Sequence, residues 1–249
     1  MWKGLRLSFY HMKNLLIVAN WKANKTEEEA IDWLREVSSR LDRDQISNKK
    51  IIICPPCTAI SAVSDFIRSN NLPFEVGAQD VSRFEEGAYT GEITVTQIEK
   101  LCNYAIIGHS ERRKYFNETD DDVIAKAKLL IKNKISPILC ISDIKQLDSY
   151  LERGKVIIDN ASGTGIIFVY EPPSAISGGG AFHPEDPRTA NENAVLITQK
   201  IGSKITILYG GSINPDNAAL FFSLENINGG LVGQASLDSS SFISLLQKC

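Results

Sequence analysis

The sequence of 249 residues lacks two features that would define its class at once. It has no window of about 18 consecutive apolar residues, which a membrane-spanning helix requires. It also lacks an excess of basic residues, since 27 Lys and Arg stand against 30 Asp and Glu and give a formal net charge of -3. A chain with this balance has no electrostatic reason to bind nucleic acid or an anionic membrane. We therefore expect neither as a partner.

We also expect no secretory signal. Residues 1–11 contain Lys and Arg, but only a broken apolar stretch and no small-residue cleavage site. Met12 begins the segment MKNLLIVAN, which is a natural start for a buried strand. We predict that residues 1–11 are an N-terminal extension and that residues 12–249 form a single domain.

The cysteines do not form a recognisable framework. There are five, an odd number, and they are widely spaced, which favours reduced thiols in a cytosolic protein over disulfides. Cys54 and Cys57 form a C-x-x-C pattern after a strand, which is the setting of a thioredoxin-type redox motif. No second C-x-x-C or His pair completes a zinc set, so we expect no metal. The alternative is that Cys54 is a small apolar residue ending a strand, with Cys57 in the next turn.

Short runs rich in Val, Ile and Leu recur along the chain, with amphipathic helical patterns between them. Most are almost continuously apolar, as expected for parallel strands that are covered on both faces. The first turn reads ANWKANKT and lacks the glycine-rich fingerprint of a doubly wound dinucleotide-binding sheet. We therefore predict one closed (β/α)₈ barrel. The runs are Leu15–Ala19, Lys50–Cys54, Phe74–Ala78, Tyr104–Ile107, Pro137–Ile141, Ile166–Tyr170, Ile205–Tyr209 and Gly230–Val232.

Polar residues cluster where these runs stop, and in a barrel such positions converge on one mouth. Asn20 and Lys22 follow the first strand, His109 and Glu111 the fourth, and Glu171 the sixth. Each has a structural alternative: a core histidine, an exposed lysine, or a solvated charge run. Glu171 is harder to explain in that way, because a carboxylate that ends the run GIIFVY must find a cation or be held for use.

Two glycine-containing turns, YGGS and GGLVGQAS, follow the last two strands. Their backbone N–H groups are suited to an anion, and phosphate sites recur at this position in barrels. The alternative is a pair of tight turns that need positive φ. With a carboxylate base, a neutral donor, a cation and a phosphate grip, the set suits proton abstraction next to the carbonyl of a small phosphorylated sugar. This chemistry requires no cofactor and no metal.

Five motifs in register from Met12 onward resemble the triosephosphate isomerase family. They are VANWKANKT, AYTGEIT, IIGHSERR, VYEP and YGGSINPDNA followed by GGLVGQASL. The resemblance implies a single TIM barrel that interconverts dihydroxyacetone phosphate and D-glyceraldehyde 3-phosphate without a cofactor.

The resemblance also assigns roles. Glu171 would move a proton between C1 and C2, and His109, as a neutral imidazole, would polarise the carbonyl. Lys22 would offset the developing negative charge, with Asn20 beside it as a donor. Glu111 matches a carboxylate that contacts the lysine.

The remaining positions implied by the resemblance bind phosphate or a second subunit. Phosphate would be held by Asn20, Lys22, Ser177, Ser212, Gly233 and Gln234, partly from a lid loop that follows Glu171. The loop Gly87–Glu92 resembles a finger that enters a partner subunit, so a homodimer is expected. Its contacts would include Thr90, Glu92 and Arg112.

The sequence departs from the family pattern mainly in the lid. Pro173, Ser174 and Ser177 replace an apolar residue, a tryptophan and a glycine, and Asp143 replaces a glutamate that neighbours the tryptophan. A glycine is replaced by Gln234, which would cost roughly 1 kcal/mol if that position needed φ > 0. We expect an active enzyme whose lid closes less tightly and releases more methylglyoxal. A non-catalytic barrel relative, or an isomerase of another sugar phosphate, are the alternatives.

Overall fold

Eight parallel strands form a closed barrel in the order of the sequence. The computed structural model describes residues 13–162, 165–175, 182–202 and 204–249. The barrel closes where the first strand pairs with the last, with Leu16 opposite Gly229. The strands are β1 (Leu15–Asn20), β2 (Lys49–Cys54), β3 (Phe74–Ala78), β4 (Tyr104–Ile107), β5 (Ser136–Ile141), β6 (Ile167–Tyr170), β7 (Thr206–Tyr209) and β8 (Gly229–Val232).

The strands are apolar on both faces because both faces are buried. Val18 of β1 and Leu208 of β7 belong to a cluster that fills the barrel interior. Ile17 of β1 and Ile207 of β7 belong to a second cluster between the barrel and the surrounding helices. Neighbouring residues therefore alternate between two cores, which explains the continuous apolar runs.

Helices follow most strands and cover the outside of the barrel. Three of them begin with capping boxes, Thr26 with Glu29, Thr94 with Gln97 and Thr119 with Asp122. The helices among the described residues are α1 (Glu27–Arg40), α2 (Ile60–Ser69), α3 (Val95–Ile98), α4 (Ser110–Phe116), α5 (Asp120–Lys132), α6 (Gln146–Arg153), α7 (Lys155–Asp159), α8 (Pro187–Ile201), α9 (Ala218–Phe222) and α10 (Ser239–Lys248).

The predicted single (β/α)₈ barrel is confirmed. The boundary predicted between residues 11 and 12 lies in residues 1–12, outside those described, and stays a prediction. No described helix combines the length and apolar character needed to cross a bilayer.

The C-x-x-C pattern begins at the end of a strand. Cys54 is the last residue of β2 and is buried, while Cys57 is exposed in a short 3₁₀ helix, Cys57–Ala59. Both are free thiols. Burial raises the pKa of Cys54 well above its ordinary value, which keeps the thiol protonated and unreactive. The structural alternative for this pattern fits the geometry better than a redox motif.

Candidate active site

A cavity of about 420 Å³ opens at the C-terminal ends of the strands. This is the end of the barrel where catalytic side chains are found in enzymes of this architecture. Most of the site residues predicted from sequence line it. They are Asn20, Lys22, His109, Glu171, Ser212, Gly233 and Gln234.

Glu171 and His109 face each other across this cavity. Glu171 follows β6 and is 1% exposed, and His109 follows β4 and is 7% exposed. The distance between His109 Nε2 and Glu171 Oε1 is 3.0 Å. The other carboxylate oxygen, Oε2, accepts the backbone N–H of Ser110 at 2.9 Å. One oxygen of this buried carboxylate is therefore hydrogen-bonded to the backbone and the other lies against the imidazole, and among the described residues neither pairs with a Lys or Arg.

The position of His109 is fixed by the start of α4. It is the N-cap residue of that helix, and its Nδ1 accepts the N–H of Glu111 at 3.2 Å. Because Nδ1 is an acceptor, the proton of the neutral ring must lie on Nε2. This nitrogen points at Glu171. The imidazole is thus held as a neutral donor aimed into the cavity.

Lys22 is paired with Glu111 at the rim. Its Nζ lies 2.5 Å from Glu111 Oε1. Its own backbone N–H donates to the Asn20 side-chain oxygen at 3.1 Å. Lys22 also has a φ of 52°, a left-handed conformation that costs an ordinary residue roughly 1 kcal/mol. Lys22 lines the cavity from this strained position.

The turn after β7 needs its first glycine for space. A Cβ atom at Gly210 would lie 2.6 Å from Val169 Cγ1 and 2.8 Å from Glu171 Cγ. Gly210 does not have positive φ, and neither does Gly233 after β8. The structural alternative, that these turns need positive φ, is therefore wrong at these two positions. Close approach to Val169 and Glu171 is the reason for Gly210.

Ser212 is held by the segment that follows Glu171. Its N–H and its hydroxyl both donate to the Ala175 carbonyl, at 2.9 and 2.8 Å. Ala175 ends the 3₁₀ helix Pro173–Ala175. The next residues, 176–181, lie outside those described, and with them the predicted phosphate contact Ser177.

Gln234 opens a 3₁₀ helix, Gln234–Ser236, directly after Gly233. Its φ is not positive, so glutamine at this position does not carry the cost of roughly 1 kcal/mol that a left-handed backbone would impose. Ser174 and Asp143, the other lid-related replacements, are both exposed. Pro173 is exposed as well, while Pro172 before it is buried.

The three residues expected at a subunit contact lie in two different environments. Thr90 and Glu92 are exposed at the tip of the predicted finger loop. Arg112 instead binds within the chain, with Nε 2.8 Å from Asp80 Oδ2 and 3.3 Å from Glu118 Oε1.

Arg112 belongs to a set that we call the ion cluster, comprising Asp80, Arg112, Glu118 and Lys126. Lys126 Nζ lies 2.7 Å from Asp80 Oδ1 and also contacts Glu118 Oε1. The second oxygen of Glu118 accepts the N–H of Gly108, the residue before His109, at 3.1 Å. Burial raises the pKa of Asp80, although Lys126 and Arg112 oppose the change.

Sequence reasoning missed this cluster and two cavity residues. Asp238 and Ser241 also line the cavity, from the N-terminal end of α10. The signal for Asp238 is its place as a capping residue shortly after the last glycine turn. Nothing local in the sequence pairs Asp80 with Lys126, because the two come from different barrel units.

These features together define a barrel enzyme with a buried carboxylate, a neutral imidazole donor and a lysine around one cavity. Comparisons of the sequence with known proteins support this class. The family model described as triosephosphate isomerase matches residues 15–249. The chain is 36% identical to the triosephosphate isomerase of Thermus thermophilus, over 95% of this chain and 99% of the relative. It is 34% identical to that of Corynebacterium glutamicum, over 92% and 95%, and 33% identical to that of Endomicrobium trichonymphae, over 95% and 99%.

The chain therefore belongs to the triosephosphate isomerase family and is an isomerase of that family.

Proposed function

We propose that this enzyme interconverts dihydroxyacetone phosphate and D-glyceraldehyde 3-phosphate through an enediolate. The observation that supports it most directly is the 3.0 Å approach of His109 Nε2 to Glu171 Oε1 at the buried end of the cavity. A base and a neutral donor at this separation are suited to flank adjacent carbons of one small substrate. The family's name supplies the substrate class, a phosphorylated triose.

In the proposed reaction, Glu171 removes the proton from the carbon next to the carbonyl. The C–H electron pair forms the carbon–carbon double bond of the enediolate, and the carbonyl electrons move to oxygen. His109 Nε2–H, which lies 3.0 Å from Glu171 Oε1, donates to that oxygen. Glu171 then returns the proton to the neighbouring carbon. The proton of the substrate's hydroxyl group passes to the former carbonyl oxygen by way of His109, and the electrons left on the hydroxyl oxygen form the new carbonyl, which completes the exchange of aldehyde and ketone.

Lys22 provides the positive charge for this step. Its ammonium group is held by Glu111 at 2.5 Å and lines the same cavity. A cation at this position stabilises both the developing enediolate and the phosphate. Asn20, which is 5% exposed and beside it, is a second donor for the oxygen.

Phosphate binding in this proposal requires a change at Ser212. Its two donors are occupied by the Ala175 carbonyl. Ser212 is available to phosphate only after it releases Ala175, so we propose that phosphate binding and movement of the segment after Glu171 are coupled. Gly233 and Gln234 would bind the same phosphate through backbone N–H groups, and Ser177 would act from the lid. Closure would exclude water and limit loss of phosphate from the enediolate.

We also propose a cytosolic homodimer in which the loop Gly87–Glu92 enters the partner subunit. The exposure of Thr90 and Glu92, together with Tyr89 at 43% exposed, supports a contact at this loop. Arg112 would contribute indirectly, because its guanidinium is already held in the ion cluster.

The test is a coupled assay of isomerisation in each direction with the full chain, run in parallel in D₂O. Turnover is expected both ways, with solvent deuterium in the product because the proton passes through Glu171. Methylglyoxal is measured in the same reactions and compared with a variant that carries the usual family lid residues. A higher yield in the unmodified chain is expected. No turnover above background, with inorganic phosphate still bound, would instead indicate a non-catalytic barrel.

A further inference from the structure

We propose that Asp238 is a specificity-determining residue that weakens the binding of the phosphate dianion at this site. The proposal rests on the phosphate-binding part of the proposed function. It names a residue that lines the cavity but has no part in the proton transfer.

Asp238 is brought to the cavity by the last unit of the barrel. After β8 ends at Val232, the chain passes through Gly233 and the 3₁₀ helix Gln234–Ser236, and Asp238 then caps α10. Gly233 and Asp238 line the same cavity. The acid is therefore at the end of the cavity where the backbone N–H groups proposed for phosphate are located.

The charges around the cavity do not favour a dianion. Among the described residues that line it, the ionisable side chains are Lys22, His109, Glu171 and Asp238. One cation thus stands against two carboxylates, and that cation is itself paired with Glu111. The segment 176–181, which reads ISGGGA, has no Lys or Arg to add. A phosphate must be held mainly by backbone dipoles and hydroxyl groups, and Asp238 opposes it.

Asp238 also compensates the positive N-terminal end of the α10 dipole, which would otherwise favour an anion in the cavity. Its carboxylate accepts the N–H of Ser241 at 2.7 Å as the N-cap of α10, a ten-residue helix. The N–H of Ser241 in the first turn of α10 is therefore satisfied by an internal anion and not by substrate. Burial lowers the pKa of the nearby Lys25, and the charges of Glu29 and Asp238 oppose that change, but Lys25 does not line the cavity.

The two effects have the same direction: they raise KM and speed release of phosphorylated ligands. A unit charge within the same solvated cleft changes the affinity for a dianion by about two- to tenfold. The effect decreases with ionic strength, because the Debye length is about 10 Å at 0.1 M.

The experiment compares Asp238→Asn with Asp216→Asn. Asparagine is as good an N-cap as aspartate, so α10 is preserved. Asp216 is an exposed acid in the segment after β7 that pairs with Lys248, and its replacement removes the same unit of charge. Binding of inorganic phosphate is measured by calorimetry at low and high salt, and KM is measured in the isomerase assay.

We expect Asp238→Asn to bind inorganic phosphate about two- to tenfold more tightly at low salt, with KM lowered by a similar factor. The gain should shrink at high salt, and Asp216→Asn should match the unmodified chain. Unchanged phosphate affinity in Asp238→Asn, or an equal gain in Asp216→Asn, would overturn the proposal. Because calorimetry does not depend on turnover, tighter phosphate binding without isomerase activity would contradict the proposed function and leave this inference standing.

Discussion

Two groups of charged residues, the ion cluster and the charged residues of the cavity, are organised in opposite ways. In the ion cluster, two acids face two bases, and all four carboxylate oxygens of Asp80 and Glu118 have partners. In the cavity, the carboxylate of Glu171 is less exposed than either acid, but its partners are a neutral imidazole and a backbone N–H.

The difference separates charge used for structure from charge held for reaction. A buried ion pair that is fully satisfied has no reason to change partners, and removal of one member leaves the others uncompensated. Glu171 instead contacts a backbone N–H and an imidazole nitrogen, neither of which neutralises its charge. The ion cluster also supports the cavity, because Glu118 binds the N–H of Gly108 next to His109.

The largest expected effect comes from Glu171→Gln. The amide keeps the size of the side chain but cannot take up the proton, so kcat should fall by about 10³ or more. The free energy of unfolding should stay the same or rise, because a carboxylate that is 1% exposed and has no cation is removed. The isomerase assay and urea unfolding check the two parts. If Glu171→Gln lost stability as well as activity, Glu171 would have a structural role like that of the acids in the ion cluster.

Glu118→Ala should show the reverse pattern. It leaves Lys126 buried with one partner fewer and the N–H of Gly108 without an acceptor, so the free energy of unfolding should fall by about 3 kcal/mol. The matched control is Asp121→Ala, which breaks an exposed pair with Arg153 and should cost less than about 1 kcal/mol. Equal losses in the two variants, measured by urea unfolding, would contradict the distinction drawn for the ion cluster.

The smallest effect is expected at Asp122, in the capping box of α5. Burial alone would raise its pKa, but hydrogen bonds from Thr119 and the contact with Arg83 lower it from 3.8 to about 2. A lowered pKa in the folded state gives stability that is complete above the unfolded pKa and is lost as the pH falls towards 2. Asp122→Ala should therefore cost about 1 kcal/mol at pH 6.

Urea unfolding of Asp122→Ala and the unmodified chain, repeated between pH 6 and pH 2, checks this dependence. The difference should hold down to about pH 4 and then shrink. A difference that does not change with pH would mean that the charge of Asp122 contributes nothing.

The barrel could be predicted from sequence because its signals are local. Burial of both strand faces makes each strand continuously apolar, and the predicted run Phe74–Ala78 coincides with β3. The capping boxes at Thr26 and Thr119 are also contained in four consecutive residues each.

The cavity residues could be predicted where a strand ends in a polar side chain, as at His109 and Glu171. Asp238 was missed because it follows a short 3₁₀ helix and not a strand. The ion cluster was missed because Asp80 and Lys126 are 46 positions apart and meet only when the barrel is formed. Gly210 is needed because the side chains of Val169 and Glu171 lie close to it. Rules for turn sequences do not include such tertiary contacts.

The left-handed backbone of Lys22 has a consequence for engineering. A library of variants sorted only for heat resistance would enrich Lys22→Gly, since glycine adopts this φ without strain. The same exchange deletes the ammonium group from the cavity. Selection for robustness alone would thus drive this protein away from its chemistry, and any such screen needs turnover as a second criterion.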